Sequence, residues 1–214
     1  MESLRFTSIF FLFICYLSIN ACSNVHQQLI TKDDETEVFT NKNKQVLIVY
    51  LSRTQNTKAV AQMIQQMMGG ELVELALQNP YPQDYRAIVT QVQKENETGF
   101  LPVLKTKIEN IHQYDTIFLG FPTWGMQLPP PMKSFLKQYD LKGKTIIPFN
   151  TNAGYGVGSG FESIKQLCIE SKILTGFSVE GGKERDGVLF VMKGEKEVMV
   201  REQVKKWLGE IKML

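Results

Sequence analysis

From Gln45 onward, short continuous apolar runs alternate with longer segments in which apolar side chains return every three or four positions. The two periods separate strands from helices. Val46–Leu51 is an unbroken apolar run, the composition of a strand covered on both faces in a parallel sheet. Across Lys58–Met68, the residues Val60, Ala61, Ile64 and Met67 or Met68 share one helical face, and Gly69-Gly70 stops the helix. Glu71–Leu77 mixes charged and aliphatic residues and predicts a strand with one wetter side. Asn79-Pro80-Tyr81-Pro82 breaks the pattern, and Asp84–Glu97 reads as a helix following its cap.

The same alternation continues to the C-terminus. Thr116–Phe121 predicts a buried strand ended by Pro122-Thr123-Trp124-Gly125, and Pro129-Pro130-Pro131 opens a helix over Met132–Tyr139, since proline suits a first turn. Thr145–Asn150 predicts a strand stopped by the glycine-rich run from Thr151 to Gly160. Phe161–Ser171 is helical in spacing, Ile173–Val179 a strand, Val188–Met192 a further short apolar run, and Glu195–Ile211 a closing helix. There is no internal repeat. Strands alternating with helices specify an α/β domain with a parallel sheet. In such a sheet the loops after the strands lie along one edge, where ligands bind, so the loops after Leu51, Phe121 and Asn150 are expected to converge.

Each of these loops carries usable chemistry. Ser52-Arg53-Thr54-Gln55-Asn56-Thr57 ends a strand and opens a helix, so its backbone N–H groups and hydroxyls can meet one anion at a helix N-terminus. Ordinary capping by Thr54, Asn56 or Thr57 is the alternative reading of the same residues. The glycines at 154, 156, 158 and 160 suggest a dinucleotide loop, but Gly-x-Gly-x-x-Gly is not met at any start within the run, which follows a late strand.

Composition narrows the function. The chain of 214 residues, 43% hydrophobic, suits one domain with a leader, and a formal charge of +2 without a dense basic block argues against nucleic acid as the main partner. Residues 1–22 stand apart: the apolar run Phe6–Ile19 has the length of a signal-peptide core and is short for a membrane span. Residues 23–44 are polar and predict a flexible tether, and 45–214 form the domain. Of three cysteines, Cys15 and Cys22 precede the domain, which leaves Cys168 without an intradomain partner and reads as a small buried hydrophobe. His26 and His112 are isolated, so no metal site is expected.

Two resemblances follow from these residues. Ile19-Asn20-Ala21-Cys22 is similar to the lipobox of bacterial lipoproteins, with Asn20 a departure from the usual pattern. It implies lipidation of Cys22 and an extracytoplasmic, membrane-anchored protein facing the periplasm or the cell surface. From Gln45 onward the chain resembles a flavodoxin, in the subgroup with an aromatic Pro-Thr-Trp loop. Ser52-x-Thr54-x-Asn56-Thr57 is similar to the family's phosphate loop, and Phe118-Leu119-Gly120 with Pro122-Thr123-Trp124-Gly125 to its first flavin loop. Pro148-Phe149 through Thr151, Gly154, Gly156, Gly158 and Ser159 is similar to the second. The segment Asn79-Pro80-Tyr81-Pro82-x-Asp84-Tyr85, with Glu95 and Pro102, resembles the subgroup's link between strands two and three.

The resemblance implies a three-layer sandwich, a five-stranded parallel sheet of order 2-1-3-4-5 with helices on both faces. It also implies FMN as cofactor, with no side-chain nucleophile or base. Ser52, Thr54, Asn56 and Thr57 are expected to donate to its phosphate, and Arg53 to supply a backbone N–H. Gln55 stands where the family usually has glycine. Pro122, Thr123, Trp124 and Gly125 would flank the ring, with Trp124 stacking on it and Gly125 admitting a peptide group near N5. From the other side Thr151, Asn152, Ala153, Gly154, Tyr155 and Gly156 would flank it, with the Gly154 and Gly156 amides near the pyrimidine edge. Tyr155 would cover the ring or shield its rim. The implied activity is electron transfer through bound flavin, to a redox partner protein or a small-molecule acceptor. The alternatives are an NAD(P)H-dependent FMN or quinone oxidoreductase and a flavin-free binding lipoprotein. A near-neutral domain, unlike strongly acidic carriers, favours a small acceptor or a different partner, whereas an extracytoplasmic address removes the nicotinamide donor.

Overall fold

The computed structural model describes residues 45–214; the expected signal peptide, Cys22 anchor and tether lie outside them. Six parallel strands form one sheet: β1 (Val46–Tyr50), β2 (Glu71–Glu74), β3 (Thr116–Pro122), β4 (Thr145–Asn152), β5 (Lys172–Ile173) and β6 (Phe177–Glu180). The order is β2-β1-β3-β4-β5, with β6 also on β4. This is the flavodoxin-like 2-1-3-4-5 arrangement, its fifth strand split in two. The break falls between the pairings Ile146↔Ile173 and Phe149↔Phe177, opposite Pro148, which has no N–H to give a neighbouring strand.

Period-two alternation along buried strands sends side chains to both faces. Leu47, Val49, Ile117, Leu119 and Phe121 enter one core with Met132 and Phe135 of α3 (Pro130–Gln138) and Ile164 of α4 (Gly160–Leu167). Val46, Ile48, Tyr50, Phe118 and Phe149 enter the other, with Val60 and Ile64 of α1 (Asn56–Met68) and Val204, Trp207 and Leu208 of α5 (Glu195–Glu210). Gly120 is required between them, because a Cβ there would stand 2.1 Å from the Phe149 ring. The remaining helix, α2 (Tyr85–Thr98), packs beside α3 and starts at Asp84, whose carboxylate accepts from Ala87 N at 2.8 Å.

Some expected elements differ, the strand predicted over Glu71–Leu77 ending at Glu74. The helix predicted to Ser171 ends at Leu167, where Cys168 leaves helical geometry. The strand predicted over Ile173–Val179 is β5 and β6 with a gap at residues 174–176. The short apolar run Val188–Met192, to which the sequence assigns no element, leaves Val188, Leu189 and Phe190 exposed after a turn closed by a Lys183–Val188 bridge.

Candidate functional site

The loops after β1, β3 and β4 converge at the C-terminal edge of the sheet around one cavity of about 620 Å³, within the size range of small-molecule and cofactor sites. Arg53, Thr54, Asn56, Pro122, Thr123, Trp124, Gly125, Thr151, Asn152, Ala153, Tyr155 and Gly156 line it, whereas Ser52, Gln55, Thr57 and Gly154 do not.

The first loop is shaped for an anion. Gln55 adopts a left-handed conformation (φ 65°, ψ −4°) and no side chain caps α1 at this position. The Asn56 and Thr57 N–H groups that begin α1 therefore remain open, and open N–H groups at a helix N-terminus bind anions. The capping alternative fails for Thr54, Asn56 and Thr57; the nearest substitute is Ser52 Oγ, which accepts from Lys58 N at 3.3 Å. A non-glycine residue in this conformation costs about 1–2 kcal/mol, so the loop carries local strain.

Several side chains expected to face the phosphate are committed to the scaffold. Asn56 is buried and donates to Leu189 O at 2.6 Å and Thr54 Oγ1 at 2.9 Å, while its Oδ1 accepts from Val191 N at 3.0 Å. It therefore fixes the 181–191 segment over the loop, and its amide has no donor to spare. Thr57 Oγ1 shares a 2.8 Å hydrogen bond with Thr151 Oγ1, joining the first loop to the third. Arg53 contributes more than a backbone group: its guanidinium donates to both Glu184 carboxylate oxygens (2.8 and 2.9 Å), to Pro82 O and to Gln83 O. That clamp binds three loops together. The Thr54 hydroxyl, which lines the cavity, keeps its proton for a ligand, since it acts only as an acceptor in its side-chain bond.

The other two loops are tied to each other. Thr123 N donates to Thr151 O (2.9 Å), Thr123 Oγ1 to Gly156 O (3.0 Å) and Ser159 N to Met126 O (2.9 Å). Trp124 and Gln127 exchange backbone hydrogen bonds around Gly125 and Met126, both at positive φ, the signature of a type I′ hairpin turn. Gly158 is needed beneath it, because a Cβ there would stand 2.1 Å from Met126 O. Trp124 lies edge-on to Tyr81 (5.3 Å, 87°) and is half-buried against the core while lining the cavity, so it serves both packing and the site. Tyr81 is held in turn by a 2.5 Å hydrogen bond to the buried Glu95, and burial first, then that carboxylate, push its phenol pKa up.

The third loop corrects one expectation. Gly154 N and Gly156 N both donate to Asn152 Oδ1, at 2.9 and 3.1 Å. These amides are occupied, and Asn152 is the residue that shapes the loop. Tyr155 is exposed, with its hydroxyl accepting from Arg185 at 3.3 Å across the cavity mouth.

Two walls were not foreseen from the sequence. One is the strap at residues 181–186, carrying Lys183, Glu184, Arg185 and Asp186. The other is the face of α2 that presents Tyr85, Val89, Gln93 and Asn96. The short apolar run after the strap and the Tyr-x-x-x-Val spacing were the available signals, and both equally describe core residues.

Known proteins share this fold. A flavodoxin of Synechocystis sp. is 22% identical over 185 residues, spanning 77% of this chain and 94% of that protein. Among solved structures, a candidate flavoprotein from Bacteroides uniformis superposes with a TM-score of 0.64 at 23% identity, over 78% of this chain and 99% of that one. A flavoprotein of Lactobacillus acidophilus in complex with FMN superposes with a TM-score of 0.55 at 22% identity, over 68% and 98%. The flavodoxin family model matches residues 45–193, a stretch that holds all three loops and the strap, and the chain thus belongs to the flavodoxin family.

Proposed function

We propose that this protein holds FMN in the cavity and transfers electrons through it. The observation that carries the reading is the uncapped N-terminus of α1 at one end of a cavity whose other walls are Trp124, Gly125 and Tyr155. A phosphate-bearing group with a planar ring system matches both ends. The open N–H groups and the Thr54 hydroxyl suit the phosphate; Trp124 and Tyr155 suit the faces or rim of the ring. The Ala153 and Tyr155 N–H groups, unlike those of Gly154 and Gly156, lie outside the hydrogen bonds made among the described residues and are the free donors of the third loop. The FMN complex of the Lactobacillus acidophilus relative supports the same assignment.

When bound, flavin supplies one- or two-electron chemistry; the chain supplies position, exclusion of water and hydrogen-bond donors. The Arg53–Glu184 clamp and the Asn56 bonds hold the strap beside the phosphate end, and the cross-tied second and third loops set the width of the ring slot. With a lipidated Cys22, the domain would work within roughly a few nanometres of a membrane surface, the reach of a 22-residue polar tether. Its electrons would then come from a membrane component.

Purified full-length protein should be yellow or turn yellow with added FMN, and anaerobic NADH or NADPH alone should leave it oxidised. Bleaching by nicotinamide would replace the carrier reading with a nicotinamide-dependent oxidoreductase. Cys22→Ser should release the protein from membranes; unchanged fractionation would refute the anchor.

A further inference from the structure

The cavity extends beyond the three loops. Past Gly125 its wall is α2, which presents Tyr85, Val89, Gln93 and Asn96 at spacings of four, four and three, neighbours along one helical stripe. Tyr85 and Val89 are exposed apolar side chains, and Met126 at the hairpin tip adds a third from a separate element. Exposed apolar side chains gathered around a concavity mark a surface that a ligand covers.

A fixed pair of donors stands at the end of this stripe. Lys133 Nζ donates to Asn96 Oδ1 at 2.9 Å and to Gln127 Oε1 at 3.3 Å, and burial pushes its ammonium pKa down. With both amide oxygens held, the Asn96 Nδ2 and Gln127 Nε2 groups are the ends turned away from the ammonium. Asn96 Nδ2 lies 3.9 Å from where a Cβ on Gly125 would stand, so this donor sits beside the hairpin tip. Oriented NH₂ donors at the end of an apolar slot select carbonyl oxygens on a flat, apolar body. Glu97 and the Lys133 ammonium stand at the same end, so the charges there offset and favour an uncharged ligand.

We propose that the α2 side of the cavity is a second binding site, for a small, uncharged, planar aromatic molecule with carbonyl acceptors, the quinone class. Its role as electron acceptor rests on the flavoprotein reading; the site itself does not. Reduction of such a molecule to its quinol takes two electrons, drawn from reduced flavin, and two protons from solvent. Val89 and Tyr85 provide area, and Asn96 and Gln127, oriented by Lys133, hold the carbonyl.

The test is calorimetric titration of the full chain with 1,4-naphthoquinone, with and without FMN, alongside a separate FMN titration. Saturable binding is expected, weakened about tenfold or more by Val89→Glu and by Asn96→Leu, with FMN affinity changed by less than about twofold. Tyr85→Ala, at an exposed position, gives a third variant whose folding is not at risk. Naphthoquinone affinity equal to wild type in all three overturns the proposal. Equal losses for FMN and naphthoquinone also overturn it, since the stripe would then belong to the flavin site. A chain that takes up no FMN defeats the flavoprotein reading alone, while the naphthoquinone titrations still decide the α2 site.

Discussion

The two ends of the cavity are built by different physics. At the α1 end, Asn56, Thr57 and Arg53 spend their polar groups on Leu189, Val191, Thr151 and Glu184, so the wall is a closed hydrogen-bond network. At the α2 end, Tyr85, Val89 and Met126 leave apolar area exposed beside a few polar groups, the Lys133-oriented amides, Gln93 and Glu97. A closed network holds one geometry and suits a resident group that seldom leaves; exposed apolar area suits a ligand that comes and goes. The difference explains why the phosphate loop has so few spare side-chain donors. Apart from the Thr54 hydroxyl, the groups left open there are backbone N–H groups, and the other side chains keep the backbone in place.

Breaking the network should have the largest effect. Asn56→Leu strands the Val191 N–H and Leu189 C=O and is expected to cost about 3 kcal/mol. The midpoint in a circular-dichroism melt should fall by about 2–4 °C per kcal/mol, and FMN uptake should be lost. Arg53→Met, which releases Glu184, should cost less, about 1–2 kcal/mol, because the pair is only partly buried. Its clearer sign should be faster FMN release in a stopped-flow dilution. A thermal midpoint and release rate equal to wild type would show the clamp to be incidental.

Gln55→Gly runs the other way. Relieving the positive φ should stabilise the loop by about 1 kcal/mol and tighten FMN binding about fivefold, read by fluorescence quenching. No gain in affinity would mean that the Gln55 side chain offsets its own strain. The smallest effect concerns Cys168, buried in the core beside α4, whose thiol is pushed up to about 11 by burial. The folded state therefore keeps its proton better than the unfolded chain. Its contribution is full below the unfolded thiol pKa of 9.0 and is lost as pH rises through about 11. Cys168→Ala should flatten the fall in stability across that window in urea titrations; an unchanged slope would assign it to other groups.

Much of this was legible in the sequence where local pattern and tertiary demand agree. The buried strands and the convergence of residues 52–57, 122–125 and 151–156 follow from apolar runs ended by loop residues, whereas the sheet order came from the family resemblance. What the sequence hid was the direction of polar side chains. Asn56 and Thr57 are the expected residue types for a phosphate loop, yet their groups face Leu189 and Thr151, segments more than 90 residues away. Gly154 and Gly156 have the freedom expected of them, but Asn152 takes their N–H groups. The apolar Val188–Phe190 run is exposed, because burial depends on what packs above a segment. Tyr85 and Val89 share a helical spacing with true core residues, and only the position of α2 beside the hairpin turns them toward a cavity.

The central claim is that the cavity is an FMN site, and the most direct measurement is FMN fluorescence on titration with the full-length protein. The account predicts quenching that saturates at one FMN per chain, with Trp124→Ala weakening the affinity by about tenfold through lost ring contact. Protein that leaves FMN fluorescence unchanged, or that binds it equally well without Trp124, would contradict it.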